Sequence, residues 1–182
     1  CGDKMCTAIK YQNKQCLFGR TLDVPCSYPE EVVIIPRSKV LYYRYLKSQF
    51  HHYAMLGIGL YRNDFPLYFD AINEKGLGIA GLNFPDEAYY EGKQTDKAKL
   101  CVFEFIPYLL GCCGSVIEVK QVLTQVHLCD EAFSSTYATT PLHWMIVDKK
   151  QCIVVESTKD GLHVIDNPVG VLTNSPSFDY HM

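Results

Sequence analysis

The chain has 182 residues, a formal net charge of −3 and 48% hydrophobic residues, which suits one globular domain with a sizeable core. Because the net charge is slightly negative and no basic run occurs, nucleic acid is excluded as the main partner. No segment approaches the roughly 18–20 consecutive apolar residues of a membrane span, and the N-terminus lacks the apolar core of a signal peptide. We therefore expect one cytoplasmic domain over residues 1–182.

The first half of the chain reads as β-strands. Two short β-prone runs at 7–11 and 16–20 flank the polar tetrapeptide QNKQ, which predicts a β-hairpin. Further apolar runs follow at 31–36, 54–61 and 77–85, and the last of them comes after the turn sequence NEKG. These runs predict a largely β-structured first half.

The middle of the chain changes to helical periodicity, at 101–113 and again at 115–126. In the first segment apolar side chains recur every three or four residues, and Pro107 predicts either a kink or a position near the helix start. In the second, Ser115 and Glu118 have the spacing of a capping box. An apolar stripe is expected along this second helix, formed by Val116, Val119, Val122, Leu123 and Val126.

The last part of the chain returns to strands. Runs at 142–148, 152–157, 161–165 and 170–173 are joined by short links such as KKQ and TKDG, which predicts an antiparallel meander. Strands, a helical pair and strands again indicate a layered α+β fold.

Nine cysteines are scattered along the chain without the dense, regular spacing of a disulfide scaffold. Most are expected to be reduced and buried as small hydrophobic side chains. The His51-His52 pair has no Cys-x-x-Cys or His-x-x-x-His partner at ligand spacing. We therefore expect no metal site and no other cofactor.

Cys6 lies close to the beginning of the chain, where ordering and burial are usually poorest. If the Met5–Cys6 bond is cut, Cys6 carries both a thiol and an α-amine that titrates at about 7.7–8.0. The amine can then accept the thiol proton, which is the chemistry of an N-terminal nucleophile. Two alternatives stay open, namely a disordered tail and the mature end of a lipoprotein that begins at Cys1.

Two further pairs of polar residues are candidates for the same chemistry. Arg20 and Asp23 end the hairpin that returns toward Cys6, so that Arg20 would favour the thiolate and Asp23 would accept a hydrogen bond from the terminal ammonium. Asn83 and Asn174 each follow an apolar run, and side-chain amides are suitable donors for an oxyanion hole. The plainer alternatives are a surface ion pair that closes the hairpin and two turn residues.

Together these motifs resemble the choloylglycine hydrolases, a family that includes bile salt hydrolases and penicillin V acylases. The resemblance follows the family's order from residue 5 to 181 and rests on MCTAIKY, FGRTLD, NEKGLGIAGLNFP, LHWMIVD and GVLTNSPSFDYH. It implies an αββα N-terminal nucleophile fold, in which two stacked antiparallel sheets lie between helix layers. By position it implies that Cys6 is the nucleophile, that Arg20 and Asp23 hold it, and that Asn83 and Asn174 form the oxyanion hole.

The resemblance also implies a reaction. We expect hydrolysis of the amide that joins a bile acid to glycine or taurine, carried out by a homotetramer. Asn83 favours the bile salt branch, because penicillin acylases tend to have Tyr in that stretch. Two alternatives are a penicillin V acylase and a non-catalytic fragment that serves as an interaction partner.

A sterol-sized acyl group needs an apolar wall with a few polar anchors. Six side chains in or beside strand-end loops near the motifs are candidates for this wall: Leu22, Ile58, Leu60, Tyr61, Phe65 and Phe133. The plainer alternative for each of them is ordinary core packing.

The chain departs from the family's pattern at both ends. Residues 1–5 precede the nucleophile where the family has a lone Met, so we expect a leader that must be removed. The family continues well beyond the position of Met182 and includes a later active-site Arg that no residue here matches. We therefore expect a domain that is incomplete at its C-terminus.

Overall fold

The computed structural model describes residues 5–23, 28–90 and 96–180, and all structural statements refer to these residues. Their strands, in chain order, are β1 Thr7–Gln12, β2 Cys16–Thr21, β3 Glu31–Ile35, β4 Met55–Arg62, β5 Phe65–Asn73, β6 Gly78–Asn83, β7 Ala98–Cys101, β8 Val126–Cys129, β9 Leu142–Val147, β10 Cys152–Thr158, β11 Gly161–Asp166 and β12 Val171–Thr173. Their α-helices are α1 Phe105–Cys112 and α2 Val116–Leu123, and short 3-10 turns occur at Val102–Glu104 and Phe178–Tyr180.

The strands form two antiparallel sheets and one small parallel pair. The larger sheet has seven strands in the order β11-β10-β9-β6-β5-β4-β3, and the smaller has three in the order β12-β1-β2. Strands β7 and β8 pair in parallel beside them. The hairpin predicted for 7–11 and 16–20 is confirmed as β1 and β2, which pair from Thr7 opposite Thr21 to Gln12 opposite Cys16.

Side chains alternate across the seven-stranded sheet between two separate cores. On β9, Trp144 and Ile146 pack with the helices, whereas Met145 and Val147 pack toward the three-stranded sheet. This alternation follows from the two-residue period of a strand. The sheet therefore has helices on one face and the smaller sheet over part of the other.

The two predicted helices are present, but both are shorter than expected. The first begins only at Phe105, because Cys101 pairs with Cys129 at the end of β7. Pro107 lies in the first turn of α1, where its missing N–H is tolerated. Ser115 caps α2 by accepting the Glu118 N–H at 3.3 Å, while the Glu118 carboxylate accepts from the Gly114 N–H at 2.8 Å. The helix ends at Leu123, so the prediction that it extends to Val126 is wrong, because Val126 pairs with Ala98 at the start of β8.

The predicted four-stranded meander is also corrected. Strands β9, β10 and β11 form an antiparallel meander, but residues 171–173 leave it and pair with β1 in the other sheet. Gly170 makes this change of direction with a φ of +69°, and its carbonyl oxygen accepts the Lys10 N–H at 2.7 Å. A Cβ at Gly170 would lie 2.8 Å from the Lys10 carbonyl oxygen, so glycine is required here.

Strand β5 was not predicted, and it lies inside the larger sheet, between β6 and β4. It is joined to β4 by a two-residue turn in which Asn63 and Asp64 both have positive φ. Asn and Asp adopt this conformation more readily than other non-glycine residues, and such turns join hairpin strands. Across the described ranges, no helix combines the length and apolar character needed to cross a membrane.

Candidate active site

Cys6 lies immediately before β1, the central strand of the smaller sheet. Its neighbour Thr7 is opposite Thr173 of β12 on one side and Thr21 of β2 on the other. The side chain is only 3% exposed and belongs to the core between the two sheets. Its Sγ lies 3.6 Å from the backbone oxygen of Asp23. Cys6 is therefore part of the folded core and is not in a disordered tail.

Asn83 and Asn174 are in contact although they are 91 residues apart in the chain. The Asn83 backbone N–H donates to Oδ1 of Asn174 at 3.2 Å. Because Thr7 is opposite Thr173, Cys6 continues the register to a position opposite Asn174. An amide held through its oxygen presents its NH₂ group on its other edge. The end of β6, the end of β12 and the start of β1 thus converge at one corner.

Arg20 connects the two sheets close to this corner. Its side chain is only 6% exposed, and Nη2 donates to the Gly81 carbonyl oxygen of β6 at 2.9 Å. Nη1 lies 3.5 Å from Oδ2 of Asp70 on β5. Burial raises the pKa of Asp70, and the nearby Arg20 guanidinium opposes that rise. Arg20 is therefore buried between the sheets, which does not fit the plainer alternative of an ion pair on the surface.

Asp23 contacts both Cys6 and the residue that precedes it. Its carbonyl oxygen faces the Cys6 thiol, and its Oδ2 accepts a hydrogen bond from the Met5 N–H at 3.3 Å. Met5 is exposed, and residues 1–4 of the expected leader lie outside the described residues. The contact expected between Asp23 and the nitrogen of Cys6 is therefore seen here one residue earlier, at Met5.

Part of the predicted acyl wall forms an aromatic cluster at the end of the larger sheet where Asn83 lies. Strand β5 begins at Phe65 and the antiparallel β6 ends at Asn83, so both residues lie at the same end of the sheet. The ring of Phe133 lies 6.4 Å from that of Phe65 and 5.2 Å from that of Phe103. These three rings line a cleft of about 250 Å³ together with Tyr42, Tyr43, Arg44, Asn63, Asp64 and Glu104.

The other predicted wall residues lie nearby in different settings. The half-buried Tyr61 donates its hydroxyl hydrogen to Asp64 Oδ1 at 2.7 Å. Leu60 is buried, whereas Ile58 is half-buried and lies in register between Val32 and Asp70. Leu22 is half-buried just after β2. Their part in binding an acyl group stays a prediction.

Sequence reasoning missed three polar residues near this corner, namely the buried His143 and Glu156 and the half-buried Asp70. Each interrupts an otherwise apolar strand, in the sequences PLYFDAIN, LHWMIVD and CIVVES. A buried polar group is costly unless it has a partner, so such interruptions are themselves a signal. His143 and Glu156 also fall opposite each other in the β9–β10 hairpin, whose register runs to Trp144 opposite Val155.

The comparisons with known proteins agree with this fold and place the chain in a family. The family model of linear amide C–N hydrolases, the choloylglycine hydrolase family, matches residues 6–182. The chain belongs to this family. It has the expected N-terminal nucleophile fold, and the described residues supply α1 and α2 on one outer face of the stacked sheets.

Individual relatives are similar over nearly the whole chain. A bile salt hydrolase/transferase of Lactiplantibacillus plantarum is 49% identical over 178 residues, covering 98% of this chain and 55% of the relative. A crystal structure of a mutant conjugated bile acid hydrolase from Clostridium perfringens superposes with a TM-score of 0.90 at 40% identity, covering 97% of this chain and 55% of that one.

A penicillin V acylase from Agrobacterium tumefaciens shares the fold, with a TM-score of 0.76 at 19% identity, over 97% of this chain and 54% of that one. The chain thus spans about half the length of the relatives it matches.

Proposed function

We propose that the protein hydrolyses the amide bond of glycine- or taurine-conjugated bile salts, with Cys6 as the nucleophile. The observation that carries the proposal is the contact between Asn83 and Asn174 just after β12, the strand whose register with β1 continues toward Cys6. Family membership favours amide C–N hydrolysis, and the names of several relatives favour bile salts as substrates.

The reaction proposed here has two steps. The Cys6 thiolate attacks the amide carbonyl carbon, forming a C–S bond and a tetrahedral oxyanion. Collapse of this intermediate breaks the C–N bond, and the α-ammonium of Cys6 gives its proton to the departing amine. Water then attacks the thioester, its proton passes to the α-amine, and the C–S bond breaks to release the bile acid and the thiolate.

Donors for the oxyanion come from the two asparagines. The contact from the Asn83 N–H to Asn174 Oδ1 fixes the orientation of the Asn174 amide, which leaves its NH₂ edge for the substrate oxygen. Preorganised donors of this kind stabilise developing negative charge without reorganising at the moment of reaction.

Activation requires cleavage between Met5 and Cys6. In the uncut chain the Cys6 nitrogen belongs to a peptide bond and cannot accept the thiol proton. Asp23 already binds the nitrogen of the preceding residue, at 3.3 Å. After cleavage we expect this carboxylate to bind the new α-amine, to orient it and to favour its ammonium form.

The acyl group is proposed to bind near the aromatic cluster of Phe65, Phe103 and Phe133. The cleft combines these aromatic rings with several polar and charged side chains. The rings would pack against the hydrocarbon of a steroid, and the polar groups would orient it. The carboxylate or sulfonate of the amino acid then lies on the solvent side of the scissile amide.

The test is release of glycine or taurine from conjugated bile salts by the purified protein, with Cys6→Ala as the control. We expect release by the unaltered protein and none by the variant. Release of neither amino acid, or equal release by Cys6→Ala, would contradict the proposal. A parallel assay on penicillin V separates the two acyl specificities.

Assembly and location are proposals of the same kind. The family resemblance supports a homotetramer, which light scattering would report as about four chain masses. A cytoplasmic location belongs to the same proposal, and fractionation of the source cells tests it.

A further inference from the structure

A buried histidine–glutamate pair lies beneath the corner where the asparagines meet. His143 is 0% exposed and Glu156 is 2% exposed. The Nδ1 of His143 lies 2.9 Å from Oε1 of Glu156, and its Nε2 lies 2.8 Å from the Thr173 carbonyl oxygen. Thr173 directly precedes Asn174, so the imidazole holds the backbone that carries this amide.

The backbone partners of His143 and Glu156 show which atoms of these side chains donate and which accept. A carbonyl oxygen can only accept, so the Nε2–H of His143 donates to Thr173. Oε1 of Glu156 also accepts the Phe178 N–H at 2.9 Å, which ties the segment after Asn174 to the same carboxyl group. The backbone on both sides of Asn174 is therefore held by one buried pair.

The same imidazole supports the other asparagine through stacking. The ring of Phe84, directly after Asn83, lies parallel to the His143 ring with centroids 4.4 Å apart and an interplanar angle of 8°. Strand register places Asn83 opposite Leu142 and Leu82 opposite His143. His143 thus contacts the residues adjacent to both asparagines.

We propose that His143 and Glu156 are positioning residues that set the relative placement of Asn83 and Asn174. This inference rests on the proposed function, in which the two amides form the oxyanion site. Displacement of a catalytic group by about 1 Å can cost about 100-fold in rate. Loss of the Nε2–H contact removes one anchor of the Thr173 carbonyl, and a shift of this carbonyl would displace the Asn174 amide that follows it.

The experiment compares four variants in the processed protein. His143→Phe keeps a ring against Phe84 but removes both hydrogen bonds, whereas His143→Gln keeps one N–H donor. Glu156→Gln keeps an acceptor for the Phe178 N–H. His52→Phe is the matched control. His52 is also buried, and its two ring nitrogens also face carbonyl oxygens, those of Lys39 and Tyr53. It precedes β4, at the end of the sheet away from Asn83.

For His143→Phe we expect kcat to fall by about 10- to 100-fold while KM changes less than about 2-fold, because the oxyanion forms only during reaction. His143→Gln should recover part of kcat, and Glu156→Gln should lie between it and the unaltered protein. The rate of Cys6 alkylation by iodoacetamide should match that of His52→Phe, because displacement at a saturated carbon forms no oxyanion.

A second readout does not depend on turnover. The side-chain amide NMR resonance of Asn174 should shift in His143→Phe and stay in place in His52→Phe. An unshifted Asn174 resonance, or a kcat equal to that of the control, would overturn the inference.

Parallel loss of alkylation and kcat would likewise overturn it, since that indicates general disruption. If His143→Phe does not fold, Glu156→Gln with the same two readouts decides. Failure of the unaltered protein to hydrolyse any conjugated bile salt contradicts the proposed function instead, and the Asn174 resonance still tests the positioning role.

Discussion

The two faces of the seven-stranded sheet differ in the side chains that they bury next to each other. On the helix side, the sheet buries large apolar side chains, such as Trp144 stacked on Phe105 with ring centroids 4.1 Å apart. On the other side, one residue along the same strand, it buries His143 against Glu156. Because a buried ionisable pair is costly, its place next to the residues that flank Asn83 and Asn174 indicates function, while the aromatic packing on the helix side supplies stability.

The largest expected effect lies on the side of the sheet that carries the His143–Glu156 pair. Cys6→Ala removes only a sulfur atom, so we expect hydrolysis of conjugated bile salts to fall more than about 1,000-fold through loss of the nucleophile. Thermal unfolding measured beside the activity assay should change little. Substantial remaining hydrolysis would mean that another residue attacks the substrate.

The next effect lies on the helix side of the sheet. Phe105→Ala leaves a cavity against Trp144 and should lower the free energy of unfolding by about 3–5 kcal/mol. Denaturant titration measures this loss, and kcat of the folded fraction should stay near that of the unaltered protein. If kcat falls as much as stability does, the two faces are not separable.

The third effect returns to the corner. Asn174→Ala removes one oxyanion donor and should lower kcat by about 100- to 1,000-fold. The stability change should be small, because the exposed Asn83 N–H can bind water instead. Steady-state kinetics with one conjugate tests this, and an unchanged kcat would remove Asn174 from the proposed mechanism.

The smallest effect concerns two cysteines outside the site. Burial raises the pKa of Cys152 to about 12, whereas a hydrogen bond from Cys113 lowers the pKa of the exposed Cys112. Since the thiolate is the reactive form, a thiol reagent at pH 8 should label Cys112 in the native protein and Cys152 only after unfolding. Peptide mass spectrometry would identify each site. Native labelling of Cys152 would contradict this order.

Local features of the fold were predictable from the sequence, and non-local ones were not. The β1–β2 hairpin and the Ser115 cap depend on residues close together in the chain, and both were predicted. The pairing of Val126 with Ala98 and of Thr173 with Thr7 depends on distant segments, so the end of α2 and the place of β12 were missed. The strand at Phe65–Asn73 was missed because Asn63 and Asp64 make a tight turn without glycine.

The candidate site shows the same division. The resemblance to the choloylglycine hydrolases named Cys6, Asn83 and Asn174, and the fold places them at one corner. The supporting residues His143 and Glu156 face each other across one short hairpin, so the register of β9 and β10 would have paired them. Asp70 was not predictable in this way, because its contact with Arg20 joins two different sheets.

The most direct test is to trap the covalent intermediate. The purified protein is mixed with a conjugated bile salt, quenched in acid within the first turnover and digested for peptide mass spectrometry. The account predicts a bile acyl thioester on a peptide whose first residue is Cys6. An acyl group on any other residue, or on a Cys6 that still follows Met5, would contradict it.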